Sequence, residues 1–307
     1  MQFYNARQTA ERLPFHELVA ALRQAVGEYA SGRIISPERM VVPLVEGGIM
    51  LSMPATAPDI AIHKLVNVQP ANARRGLPTI HGQVAAFDSV TGVPLFTLDG
   101  PTVTGRRTAA VSLLGIDTLL AAPPRSVLII GTGTQADHHV LAVQSLYPQA
   151  DIWVRSRDER KARAFCARHQ DCAEPPRPCS GEQIPSGVEV IITVTTSSTP
   201  IYDEAAQADR LIIAVGAFTP QLVEIGSTTI AQSRLLVDDL AGARHEAGDF
   251  IQAGVDWAQV QTLAEAIDAG PHSEKPVVLK TVGCAAWDLA ACRTAQASLA
   301  GEGHKRF

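Results

Sequence analysis

Two hydrophobic rhythms divide the chain. Over residues 15–30, apolar side chains recur at Leu18, Val19, Leu22 and Val26, the spacing of one helical face, which predicts a helix. Shorter runs follow at 40–45, 49–53, 60–68, 82–87 and 94–98, most of them bounded by Gly, Pro, Asn or Asp, and read as strands. Thr91-Gly92, between the last two runs, reads as a hairpin turn. A helix is expected from Thr104, its N-cap, to Leu120, and Pro123-Pro124 then break the pattern. Beyond them, apolar strands at 126–131, 151–155, 188–194, 211–216, 235–238 and 277–282 alternate with helical stretches. Strands that are apolar throughout and separated by helices imply a doubly wound parallel sheet, so the fold class is α/β. A last helix over 285–300 is expected to return to the first domain.

Composition narrows the function classes. The balance of 46% apolar and 19% charged residues in 307 is that of a globular protein able to bury a core without disulfides or metal. The net charge of −5, with no Lys/Arg-rich run, argues against nucleic acid as a partner. Arg7, Glu11, Arg12 and Glu17 leave no room for the apolar stretch of a signal peptide. No run approaches the roughly 18 apolar residues of a membrane helix, so no membrane partner and a cytoplasmic location are expected. The five cysteines form no Cys-x-x-Cys pair and read as free thiols. The adjacent His138 and His139 point about 100° apart on a helix and chelate poorly, so no metal is expected.

The chemistry begins at residue 131. An apolar strand ends at Gly131, and Gly131-Thr-Gly133-Thr134-Gln135-Ala136 then opens a helix. This is the dinucleotide fingerprint with Ala at the third small position. Gly131 permits the turn, Gly133 lets backbone approach a pyrophosphate, and Ala136 lets helix and strand pack. The helix N-terminus offers free N–H groups to phosphates. An NAD site carries an acid at the end of the second strand. Here Asp151 stands at the strand's beginning, and its end presents Ser156, Arg157 and Arg155. A guanidinium there suits the 2′-phosphate, so NADPH is expected over NAD. The competing reading makes Arg157, Arg160 and Arg163 the solvated face of the next helix. Thr193, Thr195, Val215 and Gly216 end two further strands, where this architecture binds ligands.

Cations mark a second candidate site. Lys64 alternates with Ile60, Ile62 and Val66, so it lies at a sheet edge or faces a cavity. Arg107 shares a helical face with Val111 and Leu114. A cation near a helix N-terminus is unfavourable unless an anion binds there. The alternative sends Arg106 and Arg107 to solvent. Arg39 reads as a loop residue.

With Arg39, Leu51-Ser-Met-Pro54, Lys64-Leu-Val66, Arg107-Thr-Ala-Ala110, Gly131–Ala136, Ile192-Thr-Val-Thr195, Ala214-Val-Gly216 and Lys280-Thr281-Val-Gly283, the chain resembles the ornithine cyclodeaminase/mu-crystallin family along nearly its whole length. The resemblance implies a Rossmann dinucleotide-binding domain over 122–284. It implies an α+β substrate-binding and dimerisation domain over 1–121 with 285–307, and a homodimer. It also implies that Arg39, Lys64 and Arg107 hold a small anionic imine or amino-acid substrate. Thr281 joins the expected cofactor set. Two departures matter. The cyclodeaminases carry Glu where Leu51 stands and Asp where Phe218 stands. Phenylalanine neither accepts a proton nor pairs with an ammonium.

The resemblance therefore implies a ketimine reductase, in which NADPH delivers hydride to a cyclic imine 2-carboxylate such as piperideine-2-carboxylate or pyrroline-2-carboxylate. Arg39 and Arg107 would anchor the carboxylate, and Lys64 would orient the substrate and protonate the imine. The alternatives are a cyclodeaminase-type lyase with bound NAD, an alanine dehydrogenase-like enzyme, and a non-catalytic NADPH-binding protein.

Overall fold

The computed structural model describes residues 2–172, 174–181, 183–271 and 276–303. The chain divides into two compact units, Met1–Arg107 with Cys284–Phe307, and Thr108–Gly283.

The first unit is built on one mixed sheet of β1 (Gln2–Tyr4), β2 (Met40–Pro43), β3 (Ile49–Thr56), β4 (Ile60–Val68), β5 (Ile80–Asp88) and β6 (Pro94–Asp99), in the order β1-β6-β5-β4-β3-β2. Strands β2 to β6 pair antiparallel, and β1 adds a parallel edge. Alternation sends Met53, Ala55, Ile60, Ile62, Val66, Val84, Ala86, Phe96 and Leu98 to the buried face. The helices of this unit are α1 (Ala6–Glu11), α2 (Phe15–Ala30) and α10 (Ala285–Gly303). Helix α10 packs on β3, β4 and α2, with Trp287 edge-on to Tyr29 at 5.7 Å. The Thr91-Gly92 turn joins β5 to β6 as the residues predict. Gly92 takes φ 72°, and the Asp88 carboxylate accepts from the N–H groups of Val90 and Thr91.

Helix α3 (Gly100–Leu119) departs from the sequence expectation, because it starts at Gly100 rather than after Thr104. Pro101 is tolerated in a first turn, and the Asp99 carboxylate accepts from both the N–H and the hydroxyl of Thr102, as an N-cap does. The helix begins in one unit and ends in the other. Its second half packs on the parallel sheet, where a side chain at Gly115 would collide with Leu279.

The second unit carries eight parallel strands: β7 (Ser126–Ile130), β8 (Asp151–Arg155), β9 (Arg177–Pro178), β10 (Val190–Thr193), β11 (Leu211–Ala214), β12 (Arg234–Val237), β13 (Gln261–Thr262) and β14 (Val277–Lys280). Their order is β13-β12-β14-β11-β10-β7-β8-β9. Strands β7, β10, β11 and β14 are buried along their whole length, as continuous apolar runs covered on both faces require. The connecting helices are α4 (Thr134–Leu146), α5 (Glu159–Arg168), α6 (Ser227–Ala231), α7 (Leu240–Glu246), α8 (Gly248–Ala253) and α9 (Leu263–Ala269). The connections reverse direction between β7 and β10, and such a sheet binds its ligand at the carboxyl ends of the strands flanking that point.

Candidate active site

In the first unit the predicted cations meet a carboxylate that sequence reasoning missed. Lys64 sits on the helix-facing side of β4, paired with Met53 on one neighbour and Val84 on the other. It is not at a sheet edge. Its Nζ lies 2.6 Å from Oδ2 of Asp288, in the first turn of α10. Arg107 Nε lies 3.3 Å from the other oxygen, Oδ1. The side chains are sealed, with Asp288 at 0%, Lys64 at 3% and Arg107 at 8% exposure.

Burial pushes the Lys64 ammonium down to about 8, Asp288 opposes that shift, and the nearby charges of Arg107 and Arg39 add to it. Arg39 thus belongs to the electrostatic surroundings of Lys64 from its place just before β2. Leu51 lies on the same sheet face two residues from Met53 and pairs with Val66.

Arg107 stands two turns inside α3, so the expected conflict with a helix N-terminus does not arise. Its position is explained by Asp288 instead. The neighbouring Arg106 is a structural residue. It donates to the Leu13 carbonyl at 2.8 Å and lies 3.9 Å from the Phe15 ring centre. The solvent-facing reading of this arginine pair therefore fails for both residues.

In the second unit the fingerprint has the shape a pyrophosphate needs. Gly131 adopts φ 135°, and a Cβ there would lie 2.8 Å from the Val194 carbonyl oxygen. Gly133 caps α4 without a side chain, and the space where its Cβ would stand is open within 4 Å. Thr134 is exposed, Gln135 is half-buried, and Ala136 is buried against the sheet. Asp137, in the same first turn, would repel a phosphate, but it is engaged by His169 at 2.8 Å and Arg168 at 3.3 Å.

At the end of β8, Ser156 is half-buried, and Arg155 turns back to the Ile201 carbonyl. Asp158 caps α5, Arg160 pairs with Asp158, and Arg163 pairs with Glu159. Arg157 lies outside the helix, is exposed, and has no partner among the described residues. The solvated-helix-face reading holds for Arg160 and Arg163 and leaves Arg157 available.

A second unforeseen acid organises the remaining predicted residues. Glu224 is wholly buried. Its Oε2 accepts from the Thr193 hydroxyl and the Gly216 N–H, while Oε1 accepts from the Thr195 N–H and hydroxyl. The loops leaving β10 and β11 are thereby tied to one side chain. Beneath it, Lys280 Nζ donates to the Ala214 carbonyl at 3.1 Å and lies 3.3 Å from Asp249 Oδ2. Asp249 Oδ1 in turn accepts the N–H groups of Glu224 and Ile225. Burial raises the Glu224 pKa against the lowering pull of Lys280.

Thr193 is fully buried and its hydroxyl is committed to Glu224, so its side chain faces the protein rather than a ligand. Val215 and Thr281 are also buried, and the Thr281 N–H donates to the Ala214 carbonyl. Asp288 and Glu224 share a sequence signal: each is a lone acid inside an apolar run, Ala-Ala-Trp-Asp288-Leu-Ala-Ala and Val-Glu224-Ile.

Among the described residues no three His, Cys, Asp or Glu side chains gather to hold a metal, and no helix is long and apolar enough to cross a membrane. All five cysteines are unpaired.

Comparison with known proteins extends these observations. The Delta(1)-pyrroline-2-carboxylate reductase 2 of Burkholderia ambifaria is 54% identical to this chain, covering 96% of it and 95% of the relative. The Delta(1)-pyrroline-2-carboxylate/Delta(1)-piperideine-2-carboxylate reductase of Azospirillum brasilense is also 54% identical, over 97% and 96% of the two chains. In fold, the chain is similar to the Delta(1)-pyrroline-2-carboxylate reductase of Thermococcus litoralis, solved with NADH and L-proline, at a TM-score of 0.87 and 23% identity over 99% of this chain and 98% of that one. The model of the ornithine cyclodeaminase/mu-crystallin family matches residues 2–302. This chain belongs to the ornithine cyclodeaminase/mu-crystallin family.

Proposed function

We propose that the protein reduces the C=N bond of a cyclic imine 2-carboxylate, pyrroline-2-carboxylate or piperideine-2-carboxylate, to the cyclic amino acid with NADPH. One observation carries the reading. A chain 54% identical to reductases named for these substrates keeps a desolvated lysine and arginine on one carboxylate, the equipment for an anion that must also receive a proton.

NADPH, when bound, supplies a hydride and leaves as NADP+. Arg39 and Arg107 grip the substrate carboxylate. Lys64 gives a proton to the imine nitrogen, because an iminium is the better hydride acceptor. The imine carbon gains the hydride, the nitrogen keeps the proton, and Lys64 is reprotonated from solvent. An amine held near 8 is suited to this task at neutral pH, since it is mostly protonated yet gives up its proton more readily than ordinary lysine.

Gly131, Gly133, Thr134, Gln135 and Ala136 would cradle the pyrophosphate at the α4 N-terminus. Ser156 and Arg157 would hold the 2′-phosphate, which favours NADPH over NADH. Thr195, Val215, Gly216 and Thr281 would frame the nicotinamide half, with Thr193 acting from beneath through Glu224. Leu51 and Phe218 weigh against cyclodeamination, because neither can serve a second amine. The protein is proposed to work in the cytoplasm, in keeping with its five free thiols, as a homodimer in which a second copy covers the exposed edge-strand residues Phe3, Met40 and Val41.

The test is an NADPH absorbance assay with both cyclic imines, with pyruvate plus ammonia, and with ornithine assayed for ammonia. Oxidation of NADPH by the cyclic imines is the expected result. Ammonia from ornithine without net NADPH consumption would overturn the proposal.

A further inference from the structure

In the proposed reduction Lys64 and Arg107 act on the substrate, and one acid, Asp288, lies between them. Asp288 is buried to 0% exposure and uses a different oxygen for each partner, Oδ2 for Lys64 and Oδ1 for Arg107. The three groups come from three elements: β4, α3 and α10. A carboxylate set between the two cations in this way holds at one place two charges that would otherwise repel each other. Burying such charges is costly, and replacing them with hydrocarbon is often neutral or stabilising, so a sealed trio is weakly explained by stability.

The charge balance is also uneven. Lys64 and Arg107 bring two positive charges to the single carboxylate of Asp288, which leaves room for an anion. Across the sheet Lys64 is flanked by the apolar side chains Met53 and Val84. One turn along α10 is Cys292, which burial and Asp288 together keep as a neutral thiol. Further along, Arg293 is taken by Glu28 and Asp59. Asp288 is therefore the counter-charge to Lys64 in this cluster.

We infer that Asp288 is a positioning residue. Its carboxylate sets the Lys64 ammonium and the Arg107 guanidinium in the arrangement that receives the substrate carboxylate and protonates the imine nitrogen. This rests on the reductase reading. Among the charges around Lys64, that of Asp288 favours the ammonium while those of Arg107 and Arg39 oppose it. Removing Asp288 moves Lys64 toward the neutral amine, so the rate should fail at a lower pH.

The test measures kcat/KM for pyrroline-2-carboxylate from pH 6 to 10 in the wild-type protein, Asp288→Asn and Asp288→Glu, together with the NADPH KM. L-proline binding is measured by calorimetry over the same range. The Asn variant is expected to lose about 100-fold in kcat/KM at pH 8, to shift its alkaline limb down by about one pH unit, and to keep its NADPH KM within threefold. The Glu variant is expected to recover part of the rate and most of the limb. If the Asn variant does not fold, the Glu variant decides, with a loss of about tenfold in kcat/KM and an NADPH KM kept within threefold supporting the inference. Wild-type rate and pH profiles in the Asn variant, or a wild-type kcat/KM in the Glu variant where only that one folds, would overturn it. A wild-type protein without imine reduction would instead defeat the reductase reading, and the shift in the proline-binding profile would still report on Asp288.

Discussion

Lys64 and Asp288 meet at 2.6 Å, with their side chains at 3% and 0% exposure, and Lys64 stands in the interior of its sheet rather than at an edge. A buried lysine with one carboxylate and two neighbouring arginines is poised between its charged and neutral forms. The proposed chemistry uses that balance.

Lys64→Met removes the proton donor and keeps an unbranched side chain one atom shorter. Turnover of pyrroline-2-carboxylate is expected to fall by about 100-fold to 10,000-fold, the range of a lost general acid. The NADPH dissociation constant, followed by nicotinamide fluorescence, is expected to stay within about twofold. Unchanged turnover would remove Lys64 from the chemistry.

Arg157→Ala tests cofactor choice. A charge-assisted bond to a phosphate contributes about 1.5–3 kcal/mol, so the NADPH KM is expected to rise by about 10-fold to 100-fold. NADH carries no 2′-phosphate, and its KM is expected to hold. Equal losses with both cofactors would show that Arg157 does not read the phosphate.

Glu224→Gln replaces an acceptor oxygen with an amide NH2 that cannot accept, leaving at least one buried donor among Thr193, Thr195 and Gly216 without its partner. The cost of such a group, about 1–3 kcal/mol, falls on the two loops that Glu224 ties together. The KM for NADPH is expected to rise about tenfold, with kcat at saturation kept within about threefold. A variant with an unchanged nucleotide KM would confine Glu224 to folding.

His139 makes stability depend on pH. Its ring is fully buried between the Ser112 hydroxyl at 2.9 Å and the Gln135 carbonyl at 2.7 Å. The carbonyl can only accept, so Nδ1 carries the proton and Nε2 accepts from Ser112. Burial pushes the pKa down to about 4 from 6.5. A folded-state value below the unfolded one means that the unfolded chain takes the proton first. The His139 contribution is therefore complete above about pH 6.5 and is lost as pH falls toward 4, amounting to about 3 kcal/mol in all. Urea unfolding at pH 7 and pH 5 is expected to show a loss of about 2 kcal/mol from this group, a slope that His139→Gln should flatten. Equal slopes in both proteins would contradict the assignment.

Much of this organisation is legible in the sequence where one physical cause acts alone. Strict alternation sets β4 at Ile60–Val68, and the apolar helical stripe sets α2 at Phe15–Ala30, both with the bounds the pattern predicts. The fingerprint at Gly131–Ala136 is legible because backbone geometry demands those residue types. Elements that depend on distant partners are not legible. Strand β1 spans three residues and exists through its pairing with β6, and β13 spans two and exists through β12. Helix α3 is legible from Thr104 onward but not in its first turn, where Gly100-Pro101 favours a break unless the Asp99 cap is known. Asp288 and Glu224 were overlooked because a sequence does not state which cation or N–H a buried acid meets. A single charge inside an apolar run was still a usable signal.

The proposed function turns on direct hydride transfer to an imine carbon. Incubating the protein with pyrroline-2-carboxylate and NADPH deuterated at both C4 positions, and reading the product by mass spectrometry and NMR, tests it most directly. The expected product is proline carrying one deuterium, at C2, in step with NADP+ formed. Proline without deuterium at C2, or no proline while ornithine releases ammonia, would contradict it.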